Sequence, residues 1–317
     1  MADHLDAFKS AVQASLGAFP ADIHPGRFHR FSTNGKPSDK SGWCQLFPDG
    51  LAGVFGDFRA GVSEFWSSTR SADMTPSERA ALQRHVALAK AQREQEQRAA
   101  WRTNDDRNRF MLRQCRPSVA GDPVHLYLSR RMAAESINVP ACIHLHPAMP
   151  YIHEGETLGL FPCMVAPLVG SDGRMLALHR TYLTADGRKA DLPAVRKLTG
   201  AAGLLAGAAI PLATPTAGRL GIAEGIETAL AAFLSSGVPV VAAYSAGNLS
   251  AWRWPREIRA LVIFGDNDTA GIKASTELLE RAKKAGLDAS VLAPSDPGAD
   301  WCDVYAARGA VSIGGVA

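Results

Sequence analysis

This 317-residue sequence is poor in the features that mark several protein classes. It has five cysteines (Cys44, Cys115, Cys142, Cys163 and Cys302), an odd number with no C-x-x-C pair. That excludes a disulfide framework and leaves reduced thiols. Cys44, His24 and His29 lack paired ligand spacing, so no zinc is expected in the N-terminal region. Cys142, His144 and His146 alternate, as zinc ligands on one face of a strand would, but no second ligand pair accompanies them. No apolar run reaches membrane-spanning length, since the Ala/Gly-rich stretch 199–218 is broken by Pro211 and Pro215. The first ten residues carry acids early and no apolar stretch, so neither a secretory signal nor a membrane partner is expected, and the expected location is cytoplasmic. Neither charge dominates: 34 Lys and Arg face 31 Asp and Glu, a net charge of +3. Any nucleic-acid footprint must therefore be local. There is no P-loop.

What is present is globular: 46% of residues are hydrophobic and 21% charged. Residues 1–73 are rich in Gly, Phe and Trp. The pair Asp49-Gly50 between apolar runs predicts a hairpin, and the region reads as a small antiparallel β unit. At Thr75-Pro76-Ser77-Glu78 an N-cap, a proline and an early acid open a helix that runs to about Arg116. It holds ten Lys or Arg against five Asp or Glu. A basic arm facing nucleic acid and a solvated linker helix both fit. From Asp122 the pattern alternates. A helix over 122–131 comes first, then two strands within 161–182 around Ser171-Asp172-Gly173, then a flexible Ala/Gly/Pro stretch. Strands at 220–223, 239–243, 260–265 and 289–293 follow, with helices at 226–235 and 270–285. This is the pattern of a parallel α/β sheet.

The acids sit where such sheets bind ligands, at the carboxyl ends of strands. Glu224 follows Leu220-Gly221-Ile222-Ala223, and Asp266 and Asp268 follow Leu261-Val262-Ile263-Phe264-Gly265. Crowded carboxylates repel each other and raise one another's pKa values, a penalty that a hard divalent cation removes. Mg²⁺ favours such a set together with water and phosphate oxygens. Alone, Asp-Asn-Asp is equally a turn and a helix cap; Glu224 at a second strand end favours the metal reading.

The segments Ala223-Glu224-Gly225-Ile226-Glu227-Thr228 and Val262-Ile263-Phe264-Gly265-Asp266-Asn267-Asp268-Thr269-Ala270-Gly271 resemble the Toprim domain shared by replicative primases, topoisomerases and some nucleases. Pro239 to Leu249 resembles the primase strand and glycine-containing loop between them. The resemblance implies metal ligation by Glu224, Asp266 and Asp268, with Glu224 alternatively a general acid or base. Asp300 and Asp303 resemble the closing acidic motif of primase-like proteins of plasmids and phages; the competing reading is a helix cap. Thr228 stands where replicative primases carry an Asp. Glu227, one position earlier, is the substitute, which leaves a second metal open.

Upstream, Phe161 to Leu168, Asp172-Gly173, Ala177 to Arg180 and Leu126 to Arg131 resemble the primase segment that precedes Toprim. By that resemblance Arg180, Lys197 and Lys189 contact template or nucleotide phosphates; otherwise they are surface cations. Phe28 to Phe31, Gly42-Trp43 and Phe55 to Arg59 resemble the metal-free N-terminal region of mobile-element proteins. There Trp43, Phe55, Phe58 and Arg59 either touch single-stranded DNA or, for the aromatics, pack a core.

The expected architecture is therefore α/β: a β-rich unit (1–73) in the place of a zinc ribbon, a basic helical connector (74–118), a mixed α+β primase-core subdomain (119–218) and a Toprim domain (219–317). The implied activity is Mg²⁺- or Mn²⁺-dependent primer synthesis on single-stranded DNA from nucleoside triphosphates, in plasmid or phage replication. A replicative helicase in trans would open the duplex. A Toprim nuclease, or a catalytically silent module that binds nucleic acid or a helicase, is the alternative.

Overall fold

The computed structural model describes residues 2–35, 39–57, 60, 62–68 and 76–308. They form two compact units, divided between Gln97 and Arg98. Thr75, expected as a helix cap, Arg59, a candidate DNA contact, and Phe58, a candidate for DNA contact or core packing, lie outside the described residues. Among the described residues no helix is long and apolar enough to cross a membrane.

The first unit is an antiparallel sheet in the order β1 (His29–Phe31), β2 (Gly42–Leu46), β3 (Ala52–Asp57), β4 (Val62–Ser67). The Asp49-Gly50 turn joins β2 to β3, with Leu46 opposite Gly53. The expected all-β unit needs a correction, because α1 (Ala2–Leu16) covers one sheet face. Phe8 and Val12, one helical turn apart, are fully buried against Phe31, Cys44, Leu46 and Phe55. Gly53 permits this approach, since a Cβ there would lie 2.6 Å from the Phe8 ring. Trp43 packs in a second cluster with Phe47, Ala52 and Val54, and its ring stacks on Phe28 at 5.9 Å. Trp43 and Phe55 are each only 2% exposed, so they are core residues rather than a stacking platform. Burial among these apolar groups pushes the Cys44 thiol up to about 12.

The division falls within α2 (Pro76–Arg113). The second unit holds two sheets. The first is antiparallel, in the order β5 (Arg116–Pro117), β6 (His144–His153), β7 (Glu156–Val169), β8 (Met175–Tyr182), β9 (Arg196–Leu198). Helix α3 (Pro123–Arg131) begins at Asp122, whose carboxylate accepts from the Val124 and His125 backbone N–H groups. The second sheet is fully parallel: β10 (Arg219–Ala223), β11 (Val240–Ala242), β12 (Ala260–Phe264) and β13 (Asp288–Leu292), in the order β11-β10-β12-β13. Helices α4 (Ile226–Ser236), α5 (Ala246–Ala251) and α6 (Thr269–Lys284) make the crossovers, and α7 (Trp301–Arg308) follows.

Side-chain alternation sorts the cores. Met164, Ala166 and Ala177 of the antiparallel sheet join Ala223, Val262, Phe264 and the α4 residues Ile226, Ala229 and Leu230 in one shared core. Leu220, Ile222, Leu261 and Ile263 pack on the other side of the parallel sheet with Leu249, Ala274 and Leu278. Cys163, Val165, Leu178 and Tyr182 face the opposite way from Met164 and Ala177, towards Met111 and Leu112 of α2. The stretch 199–218, expected to be flexible, is tied down: Ala209 bridges Val169 and Ile210 bridges Ala242.

Candidate metal centre

The strand order makes the site. Chain connections leave β10 in one direction, to β11, and then cross to β12 on its other side. The carboxyl ends of β10 and β12 thus flank a topological switch point, where open α/β sheets leave a crevice. Ala223 is in register with Phe264, so Glu224 and the Gly265-Asp266 pair emerge together from neighbouring strands. Two glycines make room. A Cβ on Gly271 would lie 2.6 Å from the Asp266 carbonyl oxygen, and one on Gly265 2.6 Å from the Ser275 hydroxyl. At the same edge, Tyr244 after β11 takes a left-handed φ of 63°, uncommon for a non-glycine residue.

The carboxylates influence one another. Asp266 is pushed up to about 7 by burial first, then by Glu224, Asp300, Asp268 and Asp303. Its Oδ1 is buried with no hydrogen-bond partner. Glu224 lies above the usual carboxylate range through burial and the charge of Asp268, offset in part by the Ala246 N–H and by Arg196. Asp268 doubles as the α6 cap, accepting from the Gly271 N–H at 2.7 Å. Asp300 and Asp303 cap each other's backbone N–H groups at 3.0 Å, and Asp300 pairs with Arg131 at 3.4 Å. Their capping role is therefore present in the structure, while their charges still reach Asp266.

Among the described residues no group of three or more His, Cys, Asp or Glu side chains is close enough together to hold a metal ion. The donor set nevertheless fits a hard divalent cation. It is all oxygen, crowded with negative charge, and includes a buried carboxylate oxygen without a partner.

The basic residues divide differently from expectation. Arg180 is opposite Lys197 across β8 and β9, and Thr181 is opposite Arg196. Opposed residues share a face, so Arg180 and Lys197 lie on one face and Arg196 on the other. Arg180 donates to the Tyr182 hydroxyl at 3.1 Å and the Leu198 carbonyl at 3.0 Å. Lys197 donates to the Ile152 carbonyl and sits 3.9 Å from the centre of the Tyr151 ring. The structure does not bring these two to the carboxylate edge. Lys189 is lowered by burial and by Arg196, and it stands within electrostatic reach of Glu227 and Arg131.

Arg196 is the cation that sequence reasoning missed. It donates to Glu227 Oε1 at 2.7 Å, and the Tyr127 hydroxyl donates to the same oxygen. Burial pushes the Glu227 carboxyl up, but Arg196 and Tyr127 outweigh it and hold it at about 2. Glu227 is thus committed to a structural ion pair. His179, on the Arg196 face, is lowered to about 4 by burial and is neutral near pH 7.

Two family models match parts of the chain. Residues 219–311 match the model of the Toprim domain, and residues 102–211 match a domain of unknown function, DUF7146. No curated protein matches the chain. Among solved structures, a DNA primase domain from Pseudomonas aeruginosa is similar at 17% identity and a TM-score of 0.35, over 51% of this chain and 52% of that one. This chain therefore spans about half of that structure's length. The Aquifex aeolicus primase (zinc-binding and RNA polymerase domains) is similar at 16% identity and a TM-score of 0.41, over 97% of this chain and 83% of that one. The RNA polymerase domain of Mycobacterium tuberculosis primase DnaG, in complex with double-stranded DNA, gives 17% and 0.41, over 68% and 78%. At these identities and scores the likeness carries no activity with it. The segment that bears Glu224, Asp266 and Asp268 is a Toprim domain.

Proposed function

We propose that this chain is a Mg²⁺- or Mn²⁺-dependent nucleotidyltransferase that makes primers on single-stranded DNA. The observation that carries the reading is the emergence of Glu224 and Asp266 just past the ends of adjacent strands, with Asp266 Oδ1 buried and unpartnered. Glu224, Asp266 and Asp268 would hold the cation, with Asp300 and Asp303 on its outer side. The cation supplies Lewis-acid stabilisation of the charge that builds on the transferred phosphoryl group. The reaction joins a primer 3′-hydroxyl to the α-phosphorus of a nucleoside triphosphate and releases pyrophosphate. Arg196 offsets part of the burial and Asp268 repulsion that raise the Glu224 carboxyl. Lys189, within electrostatic reach of Arg196 and Glu227, is the nucleotide-phosphate contact in this reading. Arg180 and Lys197 would meet a template only on the other sheet face. Plasmid or phage replication, with a helicase acting in trans, is the setting that the sequence motifs favour.

The test is primer synthesis on single-stranded DNA with labelled nucleotides and Mg²⁺, comparing wild type with Asp266→Asn. Product from wild type alone supports the reading. Nicking of DNA without nucleotides, and no primer, replaces it with the nuclease reading. Biological activity that survives Glu224→Gln replaces it with the silent binding module.

A further inference from the structure

A groove of about 560 Å³ lies apart from the carboxylates in the second unit, within the size range of small-ligand clefts. One wall is α2, through Arg98, Trp101 and Arg102; the β7–β8 turn adds Arg174, and the loop after α5 adds Arg253. Its floor is the small-residue stretch after Thr199. A Cβ on Gly203 would lie 2.8 Å from Leu176, and one on Gly207 2.8 Å from the Arg253 stem. The walls are pinned, because Asn104 and Asn108 of α2 donate to the Ala201 and Gly200 carbonyls at 2.8 and 3.0 Å.

Charge and partners point to an anionic, aromatic ligand. Arg102, Arg174 and Arg253 make no ion pair among the described residues and are exposed. The acids are fewer and engaged. Asp172 accepts from the Arg174 backbone N–H, and Asp105 Oδ2 pairs with Arg109 at 2.9 Å. Asp105 Oδ1 is buried without a partner, an acceptor for an N–H or O–H of the ligand. None of these residues is among the charges that shift Glu224 or Asp266.

We infer that this groove binds a segment of single-stranded DNA, with phosphates on Arg102, Arg174 and Arg253 and a base against Trp101. A duplex keeps its base faces stacked, whereas an unpaired base offers one to an indole ring. The choice of single-stranded DNA as occupant rests on the functional reading above. The groove's floor continues through Ile210 to a bridge with Ala242 of β11, beside the strand that ends at Glu224. A strand held in it therefore runs next to the Toprim sheet.

The test is fluorescence anisotropy of fluorescein-labelled oligothymidylate with the full chain, in EDTA and without nucleotides, across a salt series. Combined Arg102→Gln, Arg174→Gln and Arg253→Gln should weaken binding at least about tenfold. The same change should flatten the salt dependence by about two, at roughly 0.7 per lost phosphate contact. The matching triple Lys variant should keep the wild-type slope. Trp101→Phe should remove most of the tryptophan quenching on DNA addition. Unchanged affinity and slope in the Gln variant overturn the inference. So does labelled dTTP that binds with the same arginine dependence while the oligonucleotide does not. Glu224→Gln separates the two ideas, since it should abolish synthesis and leave this binding intact. Groove variants that bind normally while Glu224→Gln loses synthesis sink the groove alone; arginine-dependent binding by a wild type that makes no primer sinks the functional reading alone.

Discussion

Arg196 and Glu227 join β9 of the antiparallel sheet to α4 of the Toprim domain, guanidinium to carboxylate at 2.7 Å. Glu227 has only 6% of its side chain exposed, while 47% of Arg196 reaches solvent. Removing the arginine strands a buried charge. The usual loss for breaking a buried pair is several kcal/mol, but Tyr127 still donates to Glu227 and solvent reaches the arginine. Arg196→Ala should therefore cost about 2–3 kcal/mol in denaturant unfolding. Arg196→Ala combined with Glu227→Gln should recover part of that loss.

The same pair sets an acid limb. The Glu227 carboxyl is held at about 2, below its ordinary 4.5, so the folded state binds the proton less well than the unfolded state. Its stabilisation is complete above about pH 4.5 and is lost as pH falls from there through 2. Denaturant midpoints measured between pH 7 and pH 3 should fall less steeply for Glu227→Gln than for wild type.

Asp266 has the opposite sign. Raised from 3.8 to about 7, it favours its protonated form in the folded state. In the metal-free protein its contribution worsens as pH rises from 3.8 through 7 and is fully unfavourable above that. Asp266→Asn should raise the thermal midpoint at pH 8, a gain of roughly 1–3 kcal/mol, and leave it unchanged near pH 4. Mg²⁺ at pH 8 should raise the wild-type midpoint and not that of the variant.

Two helical glycines predict opposite outcomes. Nothing lies within 4 Å of a Cβ on Gly247, whereas one on Gly271 would strike the Asp266 carbonyl. Gly247→Ala should be neutral or stabilise by up to about 1 kcal/mol. Gly271→Ala should cost about 1–3 kcal/mol of overpacking and displace Asp266, lowering metal affinity as well. Differential scanning calorimetry and metal titration together check both.

The parallel sheet was legible because apolar runs such as Leu261 to Phe264 end in Gly and Asp, which signal both a strand end and a turn. Glu224 and Asp266 were legible for the same reason. Helix α1 was missed although Leu5, Phe8 and Val12 recur at helical spacing, because the Gly, Phe and Trp content and the Asp49-Gly50 turn signal of residues 1–73 point to strands. The cationic partner was missed by one residue. Strand faces alternate, so Lys197 and Arg196 lie on opposite sides of β9, and only the register with Thr181 tells which side meets Glu227. Asp300 and Asp303 could not be assigned from spacing, because a reciprocal cap and a metal-facing pair need the same acids at a helix start.

The central claim is that Glu224, Asp266 and Asp268 bind one divalent cation at the switch point. Electron paramagnetic resonance titration of Mn²⁺ into wild type, Glu224→Gln and Asp266→Asn tests it most directly. The account predicts saturable binding by wild type, lost or weakened at least about tenfold in each variant, with Mg²⁺ competing for the wild-type site. Equal Mn²⁺ binding by all three proteins would contradict it.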